Sequence, residues 1–135
     1  MLYLSELPRY LSPSILNSDF ARLGDAVSAI ERGGADWVHV DVMDGHFVPN
    51  LTIGPVVVES LRGITRLPLD CHLMVREPEK MVPWFLDAGA DIVTFHVEAA
   101  ADAAALARSI RARGKRAGIS LRPATPLSAL DAVLP

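Results

Sequence analysis

The chain has 135 residues, half of them hydrophobic, and 13 Lys and Arg against 16 Asp and Glu give a net charge of -3. That length suffices for one domain with its own core, and the charge leaves no basic field to attract nucleic acid or an anionic membrane surface. No apolar run reaches the roughly 18 residues of a membrane span, the N-terminus lacks a basic start and a long apolar core, so no secretory signal is expected, and the single cysteine, Cys71, has no internal disulfide partner, so a reducing, cytoplasmic setting is expected.

Residues 1–10 show no periodicity and read as an extension. Leu11 to Leu16 predicts a short strand with Ser12 and Ser14 on one face. Asn17-Ser18-Asp19 offers N-cap chemistry, Phe20, Leu23, Val27 and Ile30 follow at helical spacing, and Gly33-Gly34 closes that helix. A central strand is expected from about Asp36 to Met43, followed by the turn signals Asp44-Gly45 and Pro49-Asn50. Gly54-Pro55 opens a helix through about Arg62, with the proline suited to the first turn.

A third strand covers about Pro68 to Val75, and Glu77-Pro78-Glu79 starts a helix that ends at Gly89. Pro83 within it removes a backbone donor and predicts a kink or a later start. Asp91 to Glu98 reads as a fourth strand, the alanine-rich residues 100–113 as a helix closed by Gly114, and Arg116 to Arg122 as a fifth strand. Pro123-Ala124-Thr125-Pro126 makes a loop before a short helix to about Leu134.

Strand and helix thus alternate five times, which implies a parallel sheet with right-handed crossovers. Gly34-Ala35-Asp36-Trp37-Val38 recurs as Gly89-Ala90-Asp91-Ile92-Val93, a weak internal repeat. Side chains alternate along a strand, so Val38, Val40 and Val42 share one face while His39, Asp41 and Met43 share the other. Ser14, His72, Thr94, His96 and Glu98 fall on the equivalent polar face of their strands. A doubly wound sheet is covered by helices on both faces and should be apolar on both. One polar face shared across strands instead predicts the inside of a barrel, with its site at the carboxyl rim. The strands start about 25 residues apart, so eight units need roughly 200 residues, near the low end for such barrels. Residues 1–135 supply about five, and the chain is expected to be an N-terminal fragment: one incomplete TIM-barrel domain.

His39, Asp41 and His72 form a candidate three-ligand metal set, because imidazole and carboxylate donors suit zinc, iron(II), manganese or cobalt. A lone histidine of this kind reads first as an ordinary polar core group satisfied by hydrogen bonds. Three at matching heights on adjacent strands favour a site. His96 and Glu98 read either as partners that orient ligands or as a buried pair. His46 reads as a loop residue, and Cys71 as a small hydrophobe on the helix-facing side.

The stretch from Trp37 to Asn50 closely resembles the signature of the ribulose-phosphate 3-epimerases, and Ser12-Pro13-Ser14-Ile15-Leu16-Asn17, Cys71-His72-Leu73-Met74-Val75 and Thr94-Phe95-His96-Val97-Glu98-Ala99 follow in that family's order. The resemblance runs from about Leu11 to the end of the chain. It implies a metal-dependent (β/α)8 barrel isomerase of carbohydrate metabolism and the pentose phosphate pathway. Such an enzyme inverts C3 to interconvert ribulose 5-phosphate and xylulose 5-phosphate by proton abstraction through an enediolate. One divalent metal ion stabilises that species as a Lewis acid. By the same resemblance His39, Asp41 and His72 are metal ligands, Asp41 is also the first general base, Ser14 and His72 touch substrate oxygens, and Met43 and Met74 lie near the enediolate; on the residues alone Ser14 reads equally as a capping or strand-end hydroxyl, and the methionines read first as core. The implied partner is a small sugar phosphate; no nucleic acid or membrane partner is expected.

The family's second catalytic aspartate, which is also its fourth ligand, falls on a later strand, and its glycine-rich phosphate loops belong to strands seven and eight. Neither is found in residues 1–135, so the chain alone is expected to be inactive. Arg122 stands where relatives often have lysine or asparagine. Open sheet edges would favour association, as a homo-oligomer or with a complementary piece. A non-catalytic truncated barrel and a hexulose-6-phosphate 3-epimerase remain as alternatives. A lyase of the same barrel type is disfavoured, because Asp41-Val42-Met43-Asp44 has methionine where the lyases' Asp-x-Lys-x-x-Asp strand has lysine.

Overall fold

A computed structural model describes residues 8–133. Four parallel strands, β1 (Val38–Met43), β2 (Leu69–Met74), β3 (Ile92–His96) and β4 (Arg116–Ser120), form one sheet in sequential order. The helices α1 (Leu23–Arg32), α2 (Pro55–Arg62), α3 (Pro78–Asp87) and α4 (Ala103–Ala112) precede the strands one by one. A doubly wound sheet reverses its strand order at a switch point. This sheet never reverses, which is the order of a (β/α)8 barrel wall.

Alternation decides the two faces. Val38, Val40, Val42, Leu69, Cys71, Leu73, Val93 and Phe95 are at most 3% exposed and pack against the helices. Val27 of α1, Val58 and Leu61 of α2, Val82 and Phe85 of α3, and Leu106 and Ile110 of α4 supply the opposing layer. His39, Asp41, Met43, His72 and Thr94 look the other way and are half-buried. Cys71 is free and fully buried among hydrophobes, as expected, and that burial pushes its thiol far above the usual range.

The register puts Asp41 opposite His72, His72 opposite Thr94, and Thr94 opposite Gly118. The strand glycine has a packing reason: a Cβ on Gly118 would sit 2.3 Å from Thr94 Oγ1. The internal repeat also has a structural meaning. Asp36 N–H donates to Leu11 O (2.9 Å) while the Asp36 carboxylate accepts Leu11 N–H (2.7 Å). Asp91 treats Leu69 the same way, at 3.0 and 3.1 Å. Each Gly-Ala-Asp unit thus clamps the start of the preceding strand segment, after a glycine with positive φ, 78° at Gly34 and 105° at Gly89.

Several expected boundaries shift. The strand expected over Leu11–Leu16 is reduced to a single bridge between Ser14 and His39. The segment does run beside β1, with His39 N–H donating to Pro13 O (3.0 Å) and Ile15 N–H to His39 O (3.1 Å). Pro13 has no N–H to extend the ladder, and the Ser14 hydroxyl accepts Leu16 N–H (3.1 Å) and turns the chain away. Asp19 caps as expected, but a 3-10 turn (Phe20–Arg22) precedes α1. The helix α3 starts at Pro78 and continues through Pro83. Pro83 lies on the exposed side while Val82, Phe85 and Leu86 hold the helix to the core, which offsets the one lost hydrogen bond. The third strand of the sheet ends at His96 because Ala99 N–H returns to His96 O (3.1 Å), so Glu98 lies in a turn. The last expected helix is a 3-10 turn, Leu127–Leu130. Leu134, and the extension expected for residues 1–7, lie outside the described residues. Among the described residues no helix is long and apolar enough to cross a membrane.

Candidate metal centre

Strand alternation places His39 and Asp41 on one face two residues apart, and the β1–β2 register brings His72 directly opposite Asp41. His39 Nε2 lies 3.3 Å and His72 Nδ1 3.7 Å from Asp41 Oδ1. One donor atom from each of the three residues lies within 4.8 Å of the other two. Two imidazole nitrogens and a carboxylate oxygen converging at this distance fit a divalent transition ion.

Each donor is held from behind. The second oxygen of Asp41, Oδ2, accepts the Ser14 hydroxyl (2.5 Å), which leaves Oδ1 directed at the two histidines. Asp70, two residues before His72 on the same strand face, puts Oδ2 2.7 Å from His39 Nδ1. A carboxylate only accepts, so Nδ1 carries the proton and Nε2 presents its lone pair to the cluster. The Ser12 hydroxyl donates to the same Asp70 oxygen at 3.3 Å. The Asp70 hydrogen bond raises the His39 pKa above the ordinary imidazole value, although burial opposes it. His72 moves the other way, lowered first by burial and then by the neighbouring His96. Sequence reading singled out neither Asp70 nor Asp44. The signal for Asp70 was present, since it shares the inward face of His72.

One layer further toward the carboxyl rim, Met43 and Met74 stand opposite each other. The loop after β1 folds over Asp44, whose carboxylate accepts the backbone N–H groups of His46, Phe47 and Arg76, each at 2.8 Å. Burial opposes ionisation there, but those three donors hold the Asp44 carboxyl below its ordinary value. His46 is engaged within this loop, its Nδ1 3.0 Å from Asp44 O, and stands apart from the metal cluster, as expected of a loop residue. An apolar groove of about 310 Å³ lined by Val42, Leu51, Trp84 and Phe85 lies on the helix side of β1, away from the three donors.

His96 Nε2 lies 3.0 Å from His72 Nε2. Burial, opposed by Glu98 and aided by Arg122, holds the His96 imidazole below its usual pKa. Glu98 is held down to about 2: burial acts against it, but the Thr125 hydroxyl and the Arg122 N–H, at 2.5 and 2.6 Å, stabilise the carboxylate. The Arg122 guanidinium lies 3.9 Å over the Phe47 ring and donates to Phe47 O at 2.6 Å. Arg122 thus joins the loop after β1 to the segment that follows β4.

A family model described as "Ribulose-phosphate 3 epimerase family" matches residues 10–135. Among curated proteins, the chain is 56% identical over 125 residues to a ribulose-phosphate 3-epimerase of Mycobacterium tuberculosis, covering 93% of this chain and 54% of that protein. It is 50% identical over 123 residues to a ribulose-phosphate 3-epimerase of Bacillus subtilis, covering 91% of this chain and 57% of that protein. A relative from Arabidopsis thaliana, named "Ribulose-5-phosphate-3-epimerase, chloroplastic", is 55% identical over 126 residues, covering 92% of this chain and 45% of that protein. The chain spans about half the length of the curated relatives it matches.

Proposed function

This chain belongs to the ribulose-phosphate 3-epimerase family, and on that premise we propose that it carries the metal-binding and first-base half of an active site that inverts C3 of ribulose 5-phosphate. The observation that carries this reading is the convergence of His39 Nε2, Asp41 Oδ1 and His72 Nδ1, with Asp70 behind His39 and Ser14 behind Asp41.

His39, Asp41 and His72 would hold one divalent ion, zinc, iron(II), manganese or cobalt. Such an ion supplies Lewis-acid charge for the negative charge that develops on substrate oxygens. Asp41 takes the C3 proton as general base, with Oδ2 held by the Ser14 hydroxyl and Oδ1 left free. Ser14 sits at an exposed position beside Asp41 and is placed to bind a substrate oxygen as well as the carboxylate. Met43 and Met74 flank the reacting carbons with polarizable, non-titrating surface. Asp70 is committed to His39, so it is not a second acid. Asp41 serves one face of the substrate, and inversion requires a proton donor on the other. The relatives' names favour a pentulose phosphate over a hexulose phosphate. The buried, unpaired thiol of Cys71 fits a reducing, cytoplasmic setting.

The test is incubation of the metal-loaded chain with ribulose 5-phosphate in deuterated water. The expected result is slow exchange of the C3 proton without accumulation of xylulose 5-phosphate, abolished in Asp41→Asn. A metal-loaded chain that exchanges nothing overturns Asp41 as the base. Net inversion by this chain overturns the need for a second acid.

A further inference from the structure

Behind the three candidate ligands, a row of polar side chains continues across the interior face. His72 turns Nδ1 toward Asp41 and Nε2 toward His96 Nε2, at 3.7 and 3.0 Å. The two rings are stacked, centroids 5.1 Å apart with 22° between planes. The other nitrogen of His96, Nδ1, is buried without a hydrogen bond. Glu98 Oε2 stands 3.4 Å from it, close enough to act as a charge. Glu98 is itself fixed, since Oε1 accepts Arg122 N–H and the Thr125 hydroxyl.

Two neutral imidazoles joined nitrogen to nitrogen share one hydrogen, which leaves two arrangements. In the first, His72 Nε2–H donates to His96, His96 carries its own hydrogen on Nδ1 facing Glu98, and His72 Nδ1 is a bare lone pair. In the second, His96 Nε2–H donates to His72, His96 Nδ1 turns a lone pair toward the Glu98 carboxylate, and His72 Nδ1 carries a hydrogen toward the cluster. Only the first leaves His72 able to ligate, because a metal takes the lone pair of neutral imidazole. A carboxylate 3.4 Å from a buried nitrogen favours N–H over a lone pair there, and low local dielectric strengthens that preference.

We propose that Glu98 and His96 form a positioning relay that sets the tautomer of His72 for metal binding, and that the grip of Arg122 and Thr125 on Glu98 ties metal affinity to the loop after β4. The inference rests on the metal reading of His39, Asp41 and His72. His96 and Glu98 touch neither metal nor substrate in this account; they act through His72. The Phe47 ring packs 4.8 Å from the His96 ring, with the Arg122 guanidinium over its face.

The experiment has two readouts on the same chain. Long-range proton–nitrogen correlation spectra of the metal-free protein, recorded where the histidines are neutral, assign the His72 tautomer. Cobalt(II) titration followed by visible absorption gives metal affinity. Wild type is expected to hold His72 as the Nε2–H tautomer. Glu98→Gln is expected to populate the Nδ1–H tautomer and to weaken cobalt binding about 10-fold, at the low end of the effect of partners behind a ligand. His96→Phe should weaken binding further, while His96→Gln keeps an acceptor near the Nε2 position and should recover part of the loss. Thr125→Val, outside the core of the sheet, should act in the same direction by a few-fold, as expected for one lost hydrogen bond. An Nδ1–H tautomer in wild type, or cobalt affinity unchanged in Glu98→Gln and His96→Phe, overturns the relay. Failure of wild type to bind cobalt overturns the metal reading instead, and the tautomer measurement still decides the relay.

Discussion

Asp70 Oδ2 lies 2.7 Å from His39 Nδ1, on the residue directly opposite His39 in the β1–β2 register. One histidine is therefore braced by a carboxylate and the other, His72, by a second imidazole. Asp70→Asn keeps the size of the side chain and removes its charge. It is expected to weaken zinc or cobalt binding by roughly 10- to 100-fold while the fold persists. Metal titration with far-UV circular dichroism as the folding control checks this, and an unchanged affinity would remove Asp70 from the site.

Ser14 and Asp41 separate binding from ligation. Asp41→Asn is expected to lose both metal binding and C3 exchange. Ser14→Ala should leave metal affinity within about threefold and weaken sugar-phosphate binding about fivefold, in line with one ordinary hydrogen bond. Calorimetric titration of metal and of ribulose 5-phosphate distinguishes the two; a metal-affinity loss alone would make Ser14 only a support for Asp41.

Acid should destabilise the chain through named carboxyls. Glu98 is depressed from 4.5 to about 2, and Asp91 lies below its ordinary 3.8. For Asp91, burial opposes the shift, while Lys115 Nζ at 2.8 Å, Leu69 N–H and Arg62 Nη1 at 2.7 Å stabilise the anion. Folded carboxyls of this kind bind fewer protons than unfolded ones, so their contribution is complete above about pH 4.5. It fades as pH falls toward about 2. Urea midpoints measured across that range should fall steadily with pH, and Asp91→Asn should flatten the slope. A midpoint independent of pH there would contradict the assignment.

Gly118→Ala tests the packing inside the sheet. The added Cβ meets Thr94 Oγ1 at 2.3 Å and Thr94 Cγ2 at 3.2 Å. Overpacking of this kind costs about 1–3 kcal/mol. Adding Thr94→Ala removes both atoms and should restore part of the loss, a coupling readable in a double-mutant cycle by chemical denaturation.

Much of this protein is legible in the chain. Alternating apolar residues from Val38 to Val42 dictate a strand with a helix-facing side, and the same period forces His39 and Asp41 onto the opposite side. Gly-Ala-Asp before β1 and β3 announces a repeated βα unit, and the quoted motifs carry the family. These features depend on dihedral geometry over a few residues, which a sequence encodes directly.

What the sequence does not display is which residue faces which across strands. Asp41 meets His72 and His39 meets Asp70 only because the β1–β2 register falls where it does. A slip of one residue would turn every donor of the slipped strand to the other face. Glu98 lies past the end of its strand, yet its carboxylate reaches back to His96 because Arg122 and Thr125 pin it. The ligand types were a local fact of the sequence. The hydrogen-bond partners that aim them belong to the tertiary structure, because they join strands separated by whole helices.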